Sequence, residues 1–472
     1  MYRRDFAKLT GLAGLSVFLP GTIASQAVAQ DQQTWGGPYF LHMHAAGGWD
    51  PTIFCDGKLT APGTTPDYEN RVVTEAGLVN GVPVPLADAN GKFLLKVNQG
   101  ANAIEDPAHF FGNVGSRMLV LNGIDTQTNN HETGVQGLAC GHNDVELPAI
   151  AALFSGAVMQ QKNIPLAFLA HGQYNRTGDV VGVSRFPGDK VGLLADPFKA
   201  ASGDEKGMLS EVAQRRIAEI RNQRLVQLQA QASLPRNKRT LAAMIDAAKG
   251  GGTLTLLKEL ANQGPPDFSA FEAGLSPETI PYLSQPINGQ ANAASRFVDL
   301  GRPLEVLLRC FKYGVSAGAT FAQGGFDTHD NHDINQQNAM AVFVARLRYV
   351  LLRADQLGIG DKLYVLVTSD FGRTPRYNTG NGRDHWNVTS ALLSGPGIAG
   401  GRAIGKTDAG FKAMRVAKGN INETLEQGDT SGARIHPAHL HSEMRRVLSL
   451  DKANFIGGFP LPAQENALPL LG

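Results

Sequence analysis

Acidic and imidazole side chains are concentrated in residues 325–333, GFDTHDNHD, where three aspartates and two histidines occupy seven consecutive positions. Carboxylate oxygens suit hard divalent cations, and zinc accepts both carboxylate oxygen and imidazole nitrogen. The pattern predicts that at least two of these side chains bind a metal. The alternative is a solvated acidic turn that caps the next helix.

Four more polar groups follow segments that resemble buried strands or begin helices. They are Asp50 in GGWD, His131 and Thr133 in NNHETG, Asp370 and Arg373 in TSDFGRT, and His385 in GRDHW. Open α/β sheets bind ligands outside the carboxyl ends of their strands, so we expect these groups to share one crevice. One of His42 and His44, near the end of the first strand, would support a ligand there. Each group also has an alternative structural interpretation, as a turn residue, a helix cap or a structural histidine.

The NNHETG segment stands at a predicted helix start. A helix N-terminus offers free backbone N–H groups and a partial positive charge, which suit an anion or an attacking group. The alternative is simple capping by Asn129 or Asn130. The same partial charge disfavours an imidazolium, so we expect His131 to be mostly neutral at pH 7.

Apolar strand-like segments alternate with helical patterns along most of the chain. Predicted strands cover 39–43, 117–121, 165–170, 320–323, 362–368 and 390–393, and predicted helices cover 132–154, broken near Gly141, and 339–357. This alternation predicts an α/β fold with a mostly parallel sheet. Residues 204–265 are charged and long-helical, which indicates a helical insertion between two halves of one sheet.

Composition narrows the function classes. The 472 residues are 42% hydrophobic and carry a net charge of +1, which argues against a disordered chain and against a general nucleic-acid binder. The three cysteines, Cys55, Cys140 and Cys310, form no CxxC motif, so we expect three small buried side chains, or one disulfide and a free thiol. No GxSxG or phosphate-binding glycine loop follows a predicted strand.

The first 29 residues are typical of a twin-arginine export signal. Arg3 and Arg4 precede a short apolar run over 9–19, and AVA at 27–29 forms a small-residue cleavage site. The run is shorter than the roughly 20 residues that a membrane-spanning helix needs. We therefore expect a periplasmic or secreted mature chain, residues 30–472, that does not insert into a membrane. A membrane anchor is the alternative.

The motifs together resemble a known family. GFDTHDNH, KLYVLVTSDFGRTPR, GRDHW and SGPGIAGGRAIGKTD are similar to the domain of unknown function 1501 family, whose members are exported bacterial proteins assigned to the alkaline phosphatase–sulfatase superfamily. The resemblance implies an alkaline-phosphatase-like α/β fold with helices on both faces of the sheet. It also implies one or two divalent ions, zinc first, with calcium, magnesium or manganese as alternatives.

The resemblance implies two sets of metal ligands and a nucleophile at a helix start. The first set is Asp327, His329 (with His332 as the alternative histidine) and His385, and the second is Asp50 and Asp370. The superfamily often has a histidine after the second aspartate, whereas this chain has Phe371, so one ion is as compatible as two.

The nucleophile position is also unusual. It holds His131, which would act as ligand, base or phosphorylated nucleophile, with Thr133 as the fallback hydroxyl. Arg373 would bind a non-bridging oxygen of the substrate, or else form a salt bridge with a neighbouring carboxylate.

These expectations define a metal-dependent hydrolase of phosphate or sulfate esters, acting on a small molecule or a polymer. The missing hydroxyl nucleophile leaves a second hypothesis open. In that hypothesis the chain is a catalytically silent sulfatase-like protein that binds an envelope polymer or a protein partner through its helical insertion. The sequence leaves the oligomeric state open.

Overall fold

Short runs of apolar residues form the strands of the protein. The computed structural model describes residues 35–59, 68–97, 102–162, 164–172, 174–185, 211–235, 237–238, 241–242, 245, 260, 266–282, 293–425, 428–462 and 468–471. The strands in these ranges are β1 (Tyr39–Ala45), β2 (Glu75–Val79), β3 (Val82–Ala87), β4 (Leu95–Val97), β5 (Asn102–Glu105), β6 (Leu119–Asp125), β7 (Phe168–His171), β8 (Val183–Arg185), β9 (Gly318–Gln323), β10 (Leu363–Ser369), β11 (Gly372–Arg373), β12 (His385–Trp386), β13 (Val388–Ser394), β14 (Arg402–Ile404), β15 (Val416–Ala417) and β16 (Asn420–Thr424).

The helices stand between these strands. They are α1 (Pro107–Val114), α2 (His131–Cys140), α3 (Ile150–Gln161), α4 (Glu211–Gln231), α5 (Phe268–Glu272), α6 (Ala293–Lys312), α7 (His332–Gln356) and α8 (Pro437–Val447) in the described ranges. Helix α2 ends at Gly141, whose φ of +82° caps it in the left-handed conformation that glycine adopts readily. The predicted break near Gly141 is confirmed. Helix α7 begins seven residues earlier than the apolar period predicts, since its first two turns, HDINQQN, are mostly polar.

Eight strands form one sheet in the order β14-β6-β13-β10-β1-β9-β7-β8. Strand β13 runs antiparallel to β6 and β10, and the other neighbours pair in parallel. The predicted α/β fold with a mostly parallel sheet is confirmed.

The faces of the sheet are covered by different helices, because successive side chains of a strand point to opposite sides. On β1, Leu41 and Met43 pack in a core with side chains of α1, α6 and α7, whereas Phe40 packs in a second core with α3 and α8. The sheet is thus sandwiched between helices.

Register places three loops side by side at one edge of the sheet. Ala45, at the end of β1, is aligned with Ser369 of β10 and with Gln323 of β9. The loops that follow these strands carry Asp50, Asp370 and Asp327. The polar groups that the sequence singled out therefore lie beyond the carboxyl ends of parallel strands.

Several expectations concern other parts of the chain. The predicted export signal lies outside the described residues, and so does much of the predicted insertion, of which α4 is described. All three cysteines are free and buried, so the interpretation as small buried side chains is confirmed. Within the described ranges, no helix is long and apolar enough to cross a membrane.

Candidate metal centre

Close backbone packing brings the loop after β1 against the loop after β9. Gly47 has a φ of +120°, and a Cβ on it would lie 2.5 Å from the backbone nitrogen of Asp327. Only glycine suits both the conformation and the contact. This contact holds Asp327 over the end of the sheet.

Asp327 is the centre of a group of potential metal ligands. One atom each from His131, Asp327 and His385 lies within 4.8 Å of the others, the one such group of three in the described part of the chain. The His385 Nε2 is 3.2 Å from Asp327 Oδ1, and the His131 Nε2 is 3.5 Å from Asp327 Oδ2. Two imidazoles and a carboxylate thus converge on one point.

Hydrogen bonds on the far side of each ring fix which nitrogen faces that point. The His385 Nδ1–H donates to the backbone carbonyl of Asn129 at 2.8 Å, and a carbonyl oxygen can only accept. The His131 Nδ1–H donates to Asp370 Oδ2 at 2.6 Å. Both rings therefore direct Nε2 toward Asp327, and carboxylates or carbonyls behind the ligating histidines are the usual arrangement in metal sites.

His329 completes the group at its exposed rim. Its Nδ1–H donates to Asp384 Oδ1 at 2.9 Å, and its Nε2 lies 3.1 Å from Asp327 Oδ1. The same Nε2 lies 2.9 Å from the His385 Nε2. Two bare nitrogen lone pairs repel at that distance, so a proton or a cation must stand between the rings.

Arg373 supports Asp327 and is closed to a substrate. Its side chain is 0% exposed. It donates to the carbonyl oxygens of Gly48 at 2.8 Å and Arg383 at 2.9 Å, to that of Gly47, and to Asp327 Oδ1 at 2.7 Å. Burial favours protonation of Asp327, but the hydrogen bond and charge of Arg373, together with His385 and His131, lower the pKa of that carboxyl. Of the two roles considered from the sequence, the structure shows the salt bridge.

Asp50, expected beside a second ion, has protein partners instead. Its Oδ1 accepts from the Thr52 N–H at 3.0 Å, and its Oδ2 accepts from the His332 Nε2 at 3.0 Å. Burial opposes ionisation of Asp50, yet these bonds and the nearby Arg383 hold its pKa well below the usual range. The other nitrogen of His332 is bonded to the Thr328 hydroxyl at 2.8 Å, so the structure places His332 in this buried pair and not with Asp327.

Asp370, the other expected second-ion ligand, is engaged on both oxygens. Oδ2 accepts from His131, and Oδ1 accepts from the His44 Nε2 at 2.7 Å. Although burial favours the neutral acid, these hydrogen bonds hold the pKa of Asp370 well below its usual range. The His44 Nδ1 is bonded in turn to the Thr368 hydroxyl, at 2.9 Å. His44 is thus the histidine of β1 that supports the site.

The start of α2 differs from expectation in two ways. The hydrogen bond that His131 donates to Asp370 raises the pKa of the ring, which is the opposite direction to the shift expected from the helix N-terminus. Thr133 is bonded to the N-cap residue Asn130 through its backbone N–H, at 3.1 Å. Its hydroxyl also lies nearest that residue, 3.4 Å from Asn130 Oδ1, on the side of the cap.

Phe371, which directly follows Asp370, packs against two imidazoles of the site. Its ring centroid lies 4.4 Å from that of His385 and 4.9 Å from that of His131. An apolar ring against both imidazoles restricts their rotation. Sequence reasoning missed this role and that of Asp384, although Asp384 is adjacent to His385 in GRDHW.

Comparison with known proteins identifies a family over part of the chain. Residues 294–459 match the model of the DUF1501 family, which is described as a family of proteins of unknown function. The resemblance that the motifs indicate is confirmed over these residues, which include Asp327, Asp370 and His385. No curated protein matches the chain.

Solved structures similar to the chain include an alkaline phosphatase from the Antarctic bacterium TAB5, with 11% identity over 76% of this chain and 92% of the other, at a TM-score of 0.28. A 2-O GAG sulfatase is 10% identical over 92% of this chain and 76% of its own, at a TM-score of 0.30. A putative sulfatase from Bacteroides thetaiotaomicron is 11% identical over the same shares, at a TM-score of 0.26.

Proposed function

We propose that the chain is an exported, metal-dependent hydrolase of phosphate or sulfate esters. The observation that carries the proposal is the convergence of His131, His385 and Asp327, with both rings held from behind so that Nε2 faces the carboxylate. Such prearranged imidazoles cost little to assemble around a cation.

The donor set fits a single zinc ion best. Imidazole nitrogen suits zinc, whereas magnesium and calcium prefer oxygen donors throughout. Three protein ligands leave a coordination position free, as catalytic zinc sites do. Asp50 is committed to His332 and Thr52, which favours one ion over two. An ion held here supplies Lewis acidity, withdrawing charge from an ester oxygen.

The surrounding residues have distinct tasks. Arg373 fixes the orientation of Asp327, and Asp370 fixes that of His131. His329, about half exposed and oriented by Asp384, would accept a proton at Nε2 from an attacking water once an ion, and not a proton shared with His329, satisfies the His385 Nε2. The oxygen of that water would bond to phosphorus or sulfur as the bond to the ester oxygen breaks, and the leaving oxygen would take up the proton that His329 received. Because His131 would be a metal ligand and the hydroxyl of Thr133 lies against the helix cap, we propose a reaction without a covalent intermediate on the chain.

Metal analysis tests the site directly. Protein purified without chelator is expected to hold about one equivalent of zinc, and Asp327→Ala to lose it. Asp330→Ala is the matched control, because Asp330 is an exposed aspartate of the same GFDTHDNHD segment. Equal metal content in Asp327→Ala and wild type, or no metal in either, contradicts the proposal. Hydrolysis of 4-nitrophenyl phosphate and 4-nitrophenyl sulfate, abolished by chelator, tests the activity.

A second variant separates the roles of the histidines. His329→Gln is expected to keep the metal while kcat falls by about 10²–10⁴-fold, the usual contribution of a general base. If His329→Gln loses the metal instead, His329 is a ligand, as the sequence analysis expects.

Export is the part of the proposal that depends on the N-terminal residues. Replacing Arg3 and Arg4 by lysine is expected to retain the protein in the cytoplasm, measured by cell fractionation. Undiminished periplasmic or secreted protein would refute a twin-arginine route.

A catalytically silent partner-binding protein is the second candidate, favoured by one observation. Helix α4 exposes large apolar side chains, with Ile217 47%, Ile220 53% and Val226 52% exposed. A protein partner would cover such side chains. Wild-type protein that holds zinc but hydrolyses neither 4-nitrophenyl ester would favour this candidate.

A further inference from the structure

A polar groove opens beside the candidate metal centre. It has a volume of about 300 Å³ and lies between the loop after β9 and helix α7. Asp327 and Thr328 line it on the loop side, and Asn335, Asn338 and Arg346 line it on the helix side. Its walls therefore carry neutral hydrogen-bonding groups, the carboxylate of Asp327 and one cationic side chain, that of Arg346.

Arg346 differs from the other arginines of this region in having no carboxylate partner among the described residues. Arg348 pairs with Glu105 at 2.8 Å, and Arg353 pairs with Glu305 at 2.9 Å. Arg346, on the same helix, donates instead to the Gln323 Oε1 at 2.7 Å and the Leu300 carbonyl at 3.2 Å. Among the described residues, only neutral oxygens accept hydrogen bonds from this positive charge.

Those contacts hold the guanidinium in one orientation. The Arg346 guanidinium carbon lies 5.3 Å from the ring centroid of Phe321, which supports it as a cation–π partner. Gln323 is itself fixed, since its Nε2 donates to the Ala339 carbonyl at 2.9 Å. Burial lowers the pKa of Arg346 to about 10, still above neutral pH, so the charge persists in a partly desolvated place.

A preoriented, partly buried guanidinium that has no carboxylate partner in the described part of the chain suits an oxyanion, because its planar fork matches carboxylate, sulfate and phosphate oxygens. Asp327 is four positions after Gln323, which holds Arg346. A chain of that length spans at most about 14 Å, so one ligand can reach both.

We infer that this groove binds an anionic group of the ligand, through Arg346. Under the proposed function, on which this inference rests, the substrate is an ester that carries a second anionic group away from the bond that is cleaved. The amides of Asn335 and Asn338 would bind the polar part between the two ends.

Binding of inorganic sulfate to metal-free protein tests the groove without requiring activity. Calorimetric titration at constant ionic strength compares wild type with Arg346→Gln, Arg346→Lys and Arg216→Gln. Arg216 is an exposed arginine of α4 and is the matched control for loss of one charge. We expect Arg346→Gln to weaken sulfate binding by about 10–100-fold, Arg346→Lys to weaken it less, and Arg216→Gln to leave it unchanged.

Sulfate binding that is equal in Arg346→Gln and wild type, or absent from wild type, overturns the inference. Circular dichroism shows whether Arg346→Gln folds. If it does not, sulfate binding by Arg346→Lys and crystals of wild type soaked with selenate test the groove instead. Selenate bound at the Arg346 guanidinium supports the site, and selenate bound only at other places overturns it.

Hydrolysis supplies the second readout. Arg346→Gln is expected to lower kcat/KM for a disulfated disaccharide about tenfold or more. The kcat/KM for 4-nitrophenyl sulfate, which has no second anionic group, should stay within twofold of the wild-type value. Equal losses for both substrates overturn the assignment of a second anionic group. If wild type hydrolyses neither, the proposed function fails, while the sulfate titration still decides whether the groove binds anions.

Discussion

Replacing Asp370 by asparagine tests whether this carboxylate decides which nitrogen of His131 is available to a metal. Asp370 is buried and accepts from His131 at 2.6 Å and from His44 at 2.7 Å. The two rings bond to different oxygens of Asp370, and asparagine replaces one of these oxygens by a donor amide, so it cannot accept at both positions. If its amide faces His131, the Nδ1 of that ring must become the acceptor, and the proton moves to Nε2.

A protonated Nε2 cannot bind a metal, so the substitution weakens metal binding although residue 370 is not itself a ligand. Loss of a partner behind a ligating histidine typically weakens metal affinity by about 10–100-fold, which corresponds to about 1.4–2.7 kcal/mol. We expect an increase of that size in the zinc dissociation constant of Asp370→Asn, measured by competition with a chromophoric chelator. Nitrogen NMR of the metal-free protein should show the His131 proton on Nε2.

Asp384→Asn is the matched control, since Asp384 orients His329 in the same manner but its side chain is 56% exposed. There we expect less than a threefold change in zinc affinity, because His329 is outside the converging trio. An unchanged dissociation constant in Asp370→Asn, or a larger loss in Asp384→Asn, would refute the reasoning.

Two further predictions concern pH and packing around α2. Because Asp370 raises the pKa of His131 above 6.5, the free energy of unfolding of the metal-free protein should decrease as pH rises past that value, whereas zinc affinity should increase. Denaturant titrations and zinc titrations at pH 6, 7 and 8 measure these two trends. Trends in the same direction would contradict the prediction. A Cβ at Gly134 would overlap the Asp370 carbonyl, so Gly134→Ala should destabilise the fold by about 1–3 kcal/mol and weaken zinc binding. Gly112→Ala, in open space on α1, should instead be neutral or stabilising by up to about 1 kcal/mol in the same denaturant assay.

The position of the candidate site follows from local sequence patterns. Apolar runs such as KLYVLVT predict strands, and polar groups directly after them predict one edge of a parallel sheet. Asp327, Asp370 and His385 could be singled out this way because each is close in sequence to a strand that fixes its place. Strand ends shifted by a few residues, as at β6 and β7, since apolar character alone does not define where pairing stops.

The partners of those groups depend on packing between distant segments. His131 and Asp370 are 239 positions apart, and their contact exists because α2 packs beside the end of β10. No local pattern distinguishes His332, paired with Asp50, from His329, which faces Asp327 three residues earlier. The side chain of Arg373 turns inward to carbonyls of the β1 loop, which its place in TSDFGRT does not reveal.

The sequence by itself determined the class of fold, the edge of the sheet that carries the polar groups and the residue types present there, since each is a property of short segments. Only the tertiary structure decided which imidazoles share a point, which nitrogen each directs toward it, and which charges are already neutralised by protein partners. Those properties depend on distances and hydrogen-bond directions between residues far apart in the chain. A one-residue change of register or helix rotation would alter them while leaving every local pattern intact.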